Sequence, residues 1–213
     1  MRRCAIQAWC FVLYALLMLA QRVLKPYNDF DNIAISGTLC MIPFISEFLM
    51  STTKYWLFKS EASTYSIDDL QRDNVTCWDG VRNYQARNLL RDEINVGDGV
   101  LLYHSNTDSP AIVGLASVTR SAYPDHTQFE YGHAKFDPRA NHDSPRWFMV
   151  DIAFERKLRT PLTLDNLRDI HELEGMELLR KGSRLSVQPV RDTEWQVIME
   201  IIRCQDARGT ESQ

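Results

Sequence analysis

Two periodicities divide the chain from Lys54 onward. Lys54-Tyr55-Trp56-Leu57-Phe58-Lys59 puts Tyr55 and Leu57 on one face of an extended segment and Trp56 and Phe58 on the other. With both faces apolar, a central strand is predicted, ending at Lys59-Ser60-Glu61, where polar groups can be presented at the strand mouth. Val100 to Ser105 and Ala111 to Thr119 form two further strands, joined by the polar turn Asn106 to Pro110 into an antiparallel hairpin. Gly114 marks a point of close approach by backbone or ligand. Trp147 to Arg156 and Arg184 to Val190 complete the strand-like runs.

Helical spacing takes over between them. Ser66 followed by Asp68 and Asp69 is a capping-box signature for a short helix ending near Asp73-Asn74. Asp79-Gly80 reads as a tight turn, Asn83 as the N-cap of a helix, and Ala86, Leu89 and Leu90 as its apolar stripe. Thr163 opens another capped helix, Gly175 to Leu179 a second short one, and Asp192 the last helix, whose stripe is Trp195, Ile198, Met199 and Ile202. The segment from Cys204 is expected to fray, with 205–213 a flexible tail. Ala122 to Arg146 is long, polar and punctuated by Pro124, Gly132, Pro138 and Pro145, a length that suggests a lid or binding loop. Short strands mixed with short helices in irregular order predict an α+β fold around a small mixed β-barrel, not a doubly wound parallel sheet.

Residues 1–49 follow neither pattern. Arg2-Arg3 precedes an apolar run from Ala8 to Ala20 that is short of the roughly 20 residues a membrane span requires. Ile33 to Met50 is interrupted by Gly37, Pro43 and Glu47. Two readings are open: a start assigned too far upstream, with the working protein beginning at Met50 and making no stable membrane association, or a genuine anchor or export signal. The expected organisation is an extension over 1–49, one domain over 50–204, and the tail.

Composition narrows the functional classes. The full chain of 213 residues carries 24 basic and 28 acidic side chains. Setting aside residues 1–49, with four basic and three acidic ones, leaves 20 against 25. Such a domain is not built to hold duplex DNA by neutralising many phosphates, so any nucleic-acid role needs a local basic patch and a selective pocket. Cys4, Cys10, Cys40, Cys77 and Cys204 are odd in number and contain no C-x-x-C pair. This disfavours a disulfide framework or a zinc site and suits a reducing compartment, cytoplasmic or nuclear. His126, His133, Asp137 and His142 share the long loop but match no metal-binding spacing. No cofactor or metal is expected.

The chemistry concentrates in Cys77-Trp78-Asp79-Gly80-Val81-Arg82-Asn83-Tyr84-Gln85-Ala86-Arg87-Asn88, where a turn feeds a helix N-terminus with unpaired N–H groups. That stretch reads as one wall of a pocket for a flat, polar ligand such as a nucleobase. Together with Tyr55 to Glu61, Tyr103-His104-Ser105-Asn106, Ala122-Tyr123-Pro124-Asp125, Pro145-Arg146-Trp147 with Val150-Asp151, and Arg184 to Pro189, it resembles the EVE domain family. The six blocks run in order from Lys54 to about Ile202; Ala62 departs from the proline usual after Ser-Glu, and residues 1–49 have no counterpart. The resemblance implies a PUA-like barrel, related to YTH and ASCH domains, and a reader of modified cytosine in nucleic acid.

A captured base needs an aromatic platform, worth about 1–3 kcal/mol in stacking, and donors and acceptors to read its edge. Trp78 is the first candidate platform, with core packing as the alternative; Tyr103 and the family-block residues Tyr84 and Trp147 are others. Asn83 reads an edge or only caps its helix, and Asp79 accepts from an exocyclic amine or only closes its turn. Ser60, Ser105 and Ser186 lie near strand ends, as does His104, facing opposite to Ser105 and therefore unable to act as its base. Lys59, Arg82 and Arg87 are candidates for flanking phosphates, with a solvated helix face the alternative for the arginines. The function expected is a non-catalytic reader of a modified base, with a small hydrolase of modified nucleosides as the rival.

Overall fold

The computed structural model describes residues 53–210, so the expectations for residues 1–49 and for the final three residues lie outside them. Six strands form one mixed sheet: β1 (Tyr55–Glu61), β2 (Val75–Cys77), β3 (Gly99–Ser105), β4 (Ala111–Pro124), β5 (Phe148–Thr163) and β6 (Val187–Val190). Their order is β2-β5-β4-β3-β1-β6; β1 and β3 run parallel and the other pairs antiparallel. Helices α1 (Ile67–Asp73), α2 (Tyr84–Asp92), α3 (Leu164–Arg168) and α4 (Asp192–Thr210) surround it.

The local signals act where the sequence places them. Ser66 Oγ accepts from Asp69 N while the Asp69 carboxylate accepts from Ser66 N, so the capping box closes in both directions. Thr163 accepts from Asn166 N to open α3. Gly80 has φ +70°, as its turn requires. The close approach at Gly114 is intramolecular: a Cβ there would lie 2.3 Å from Ile67 Cδ1 and 2.8 Å from the Arg156 carbonyl oxygen.

Strand alternation gives the sheet two buried faces. One carries Trp56, Phe58, Val100, Leu102, Val187 and Leu185 together with Trp78, Val81, Ala86 and Leu90. The other carries Leu57, Leu101, Tyr103 and Val190 against α3, α4 and the turns around Leu173 and Leu178. Phe58 and Trp78 have ring centroids only 5.2 Å apart. Trp78 follows β2 by one residue, and β2 lies four positions from β1 in the sheet, roughly 19 Å if the sheet were flat. The sheet must therefore curl around the first face, as the register shifts along β4 and β5 allow. α2 packs on β4, β5 and β6 across the gap between the two ends of the sheet. The expected barrel is thus realised as a curled sheet that is not closed: among the described residues no ladder joins β2 to β6.

Three elements exceed their sequence patterns. β4 runs past Thr119 to Pro124, into the stretch expected to be loop; β5 runs on to Thr163; and α4 continues through Thr210, past the Cys204 boundary where fraying is expected. Asp98, 3 % exposed, accepts from Lys54 N, Trp56 Nε1 and Asn95 N, tying the Val96–Gly99 turn to the start of β1.

Candidate nucleic-acid interface

At the N-terminus of α2, Asn83 has extended backbone angles (φ −114°, ψ 128°) and its Oδ1 accepts from Gln85 N at 2.9 Å and Ala86 N at 3.1 Å. The cap uses the oxygen only. The side-chain nitrogen has no hydrogen-bond partner among the described residues, and the side chain is exposed. Facing it is the segment that leads into β6. Between them lies a cleft of about 350 Å³, with Asn83 and Gln85 on one wall and Glu177 and Arg180–Leu185 on the other.

Two buried polar atoms beside this second wall lack partners. Gln188, 1 % exposed, donates through Nε2 to Ser183 Oγ and to the Leu185 carbonyl, but its Oε1 accepts nothing. Ser60 Oγ is also buried and unpaired. Phe58 pairs with Val187, and Lys59 N donates to the Ser186 carbonyl at 2.8 Å, so continuing that register sets Ser60 across from Leu185. Leu185 belongs to the same buried cluster as Trp78. Trp78 itself is 8 % exposed, packed on Phe58, and is not among the residues that line the cleft.

Other candidates fall on the opposite face of the sheet, because side chains alternate along β1 and β3. Lys59 lies 5.8 Å over the Tyr103 ring, and Tyr103 is 4 % exposed. Burial pulls the Lys59 ammonium below its usual range despite Glu177, and pushes the Tyr103 phenol up. Ser105 Oγ donates to the Ser60 carbonyl, while Ser186 pairs with Lys59 on this side. His104 points the other way, where its Nε2 accepts from Ile67 N at the start of α1; burial lowers its pKa. The expected convergence of Trp78 with the Tyr103–Ser105 strand is therefore split across the sheet.

The long segment after β4 is fastened by buried polar groups. Asp125 is fully buried and accepts from Gly80 N (2.9 Å), Arg82 Nη1 (2.7 Å), Thr127 N (2.9 Å) and Thr127 Oγ1 (2.6 Å). Arg82 also donates to Thr127 Oγ1 and the Lys135 carbonyl. Gln128, fully buried, donates to the Asp125 and Trp147 carbonyls and accepts from Arg146 N and Trp147 N. Trp147, 4 % exposed, donates to Asp137 and lies 4.9 Å from the exposed Tyr84 ring. Arg87 lies 4.9 Å over Tyr84 and donates to Asn88 and the Arg146 carbonyl, while Arg146 donates to the Tyr84 hydroxyl. Partial burial and the neighbouring Asp125 carboxylate raise the Asp79 pKa. In the sequence Asp125 stood out only as the end of a family block and Asp137 only in the loop group weighed for metal, while Gln128 gave no signal. His126 pairs with Glu130, His133 accepts from Lys135 N, and His142 stacks on Phe129 at 3.9 Å; among the described residues no three His, Cys, Asp or Glu side chains converge on a metal site.

Similarity to known proteins bears on this geometry. The EVE domain family profile matches residues 54–201. Thymocyte nuclear protein 1 of Rattus norvegicus is 41% identical over 168 residues, covering 70% of this chain and 74% of that protein. A hypothetical protein from Leishmania major superposes with a TM-score of 0.69 at 45% identity, covering 72% of this chain and 97% of that one. Human THYN1 protein, solved in complex with DNA containing 5-methylcytosine, superposes with a TM-score of 0.65 at 38% identity, covering 70% and 98%. The fold is accordingly the PUA-like one that these structures share.

Proposed function

Since this chain belongs to the EVE domain family, we propose that it is a non-catalytic reader that binds nucleic acid through a modified cytosine. The base enters the cleft between α2 and the Arg180–Leu185 segment. The observation that carries this reading is the cleft itself: its size falls within the range of ligand pockets, and one wall offers the uncommitted Asn83 amide nitrogen. The binding of 5-methylcytosine DNA by human THYN1 supports the choice of base and of partner.

In this arrangement Asn83 reads the base edge, and Trp78 supports the cleft through the core cluster it shares with Leu185. Arg82 holds the long segment against the α2 N-terminus, and Tyr84 with Arg87 forms an exposed cation–aromatic rim beside the cleft mouth. The compartment proposed is the nucleus or cytoplasm; no described helix is long and apolar enough to cross a membrane.

The test is a panel of oligonucleotides differing only in the substituent at one cytosine, titrated at fixed salt, alongside incubation with the free modified nucleosides. Saturable binding that depends on the substituent, with no new product by chromatography, is expected. Equal affinity across the panel, or turnover of any nucleoside, would overturn the reading.

A further inference from the structure

Cations near the cleft differ in how far their charge is already neutralised. Arg82 is held by Asp125, Arg87 by Asn88 and the Arg146 carbonyl, and Arg146 lies 3.4 Å from Asp137. Arg180 lies 3.6 Å from Glu177, whose other oxygen accepts from Ser183 Oγ at 2.8 Å. Lys181 and Arg184 are different. Both are exposed, both line the cleft, and neither has a carboxylate or any other side-chain hydrogen-bond partner among the described residues. The backbone N–H groups of Lys181, Gly182 and Arg184 also donate to no acceptor among those residues. Gly182, at φ +83°, makes the turn between the two cations.

The chain as a whole is acidic, at −4. Two unneutralised cations on one wall of the cleft are a local reversal of that sign, the patch that an acidic domain requires if it is to hold a polyanion. We infer that Lys181 and Arg184 form the phosphate site of this cleft, gripping the phosphodiester that flanks the captured base; the inference rests on the base-reading proposal. The Arg184 guanidinium fork matches two phosphate oxygens, while Lys181 supplies a point charge. The backbone contacts assigned from sequence to Arg82 and Arg87 compete with partners those side chains already have; Lys181 and Arg184 carry no such cost.

The experiment is fluorescence anisotropy with a labelled duplex carrying one 5-methylcytosine, titrated between about 50 and 200 mM salt, for the wild type, the double variant Lys181→Ala/Arg184→Ala, and the charge control Arg159→Ala. Free 5-methyl-2′-deoxycytidine, which has no phosphate, is titrated in parallel. The double variant is expected to lower the slope of log affinity against log salt by about 1 to 2, and to lose roughly tenfold in affinity at the low-salt end relative to the high-salt end. Nucleoside affinity and the Arg159→Ala control stay at wild-type values. An unchanged salt slope with methyl discrimination intact overturns the phosphate site and leaves the reader standing. A reduced slope without methyl discrimination overturns the reader and leaves the phosphate site. Failure of the wild type to bind either ligand overturns both.

Discussion

Replacing Asp125 by alanine is expected to loosen the wall of the cleft from behind. The carboxylate is fully buried and takes four hydrogen bonds, one from Arg82, whose side chain is 20 % exposed. Removing it leaves Gly80 N and Thr127 N without an acceptor and the Arg82 guanidinium without its carboxylate, although Arg82 keeps the Lys135 carbonyl and Thr127 Oγ1. Breaking a buried ion pair from one side costs about 3–5 kcal/mol, mostly through the charge left uncompensated. For a domain of this size about 1 kcal/mol moves the melting temperature by roughly 2–4 °C, so Asp125→Ala should lower it by about 6–20 °C. The assay is urea unfolding followed by tryptophan fluorescence, reading a lower midpoint at unchanged slope. Arg82→Met and the double variant complete a cycle in which coupling exceeds about 1 kcal/mol. The same bond has a pH signature. Burial alone would raise the Asp125 pKa, but the bonds from Arg82, Thr127 and Gly80 outweigh it and hold it below the usual value. Its stabilisation is therefore complete above the unfolded carboxyl pKa near about 3.9 and is lost as pH falls through the lower folded value. An Asp125→Ala protein melting within about 2 °C of wild type, or additive effects in the cycle, would refute the assignment of Asp125 as the fastening point.

Three further outcomes follow from named contacts. Asn83→Asp keeps the capping oxygen but removes the amide donor, so stability should hold while selectivity for the modified base falls; Asn83→Ala should lose both, with about 0.5–2 kcal/mol from the cap, and equal selectivity in Asn83→Asp would confine this residue to capping. His104 is half-buried, with burial lowering its pKa, and accepts from Ile67 N, so the stability it contributes is present above its unfolded pKa near about 6.5 and declines as pH falls below it; the slope of stability between pH about 7 and 5 should flatten in His104→Gln, and an unchanged slope would count against the contact. Gly114→Ala drives a methyl against Ile67 and the Arg156 carbonyl and should cost about 1–3 kcal/mol in denaturant unfolding, whereas a neutral result would mean that β4 and α1 separate easily.

Legibility followed the range of the interaction. The Ser66–Asp69 box, the Asn83 cap, the Gly80 turn and the strand runs of β1, β3 and β4 each depend on residues within a few positions of one another. Their outcome is fixed by backbone sterics and side-chain reach, and the sequence pattern shows both. Asp125 illustrates the opposite case. In sequence it closes a family block without showing its partners, and only the approach of Gly80 and Arg82, 45 and 43 residues away, turns it into a buried staple. The segment expected to act as a lid or binding loop is held in place by Asp125, Gln128 and Asp137.

By itself the amino-acid sequence determined the element types, their caps and turns, the α+β class and the family, because these are set by local propensity, two-residue or helical periodicity and the identity of six ordered blocks. Only the tertiary structure decided which side chains share a space. The curl of the sheet put Trp78 against Phe58 in the core, strand alternation sent Tyr103 to the far face from Asn83, and the return of the chain into β6 brought Lys181 and Arg184 to the cleft. Those placements depend on how β-bulges coil a sheet and on pairing between strands distant along the chain, and no short window of sequence carries that information.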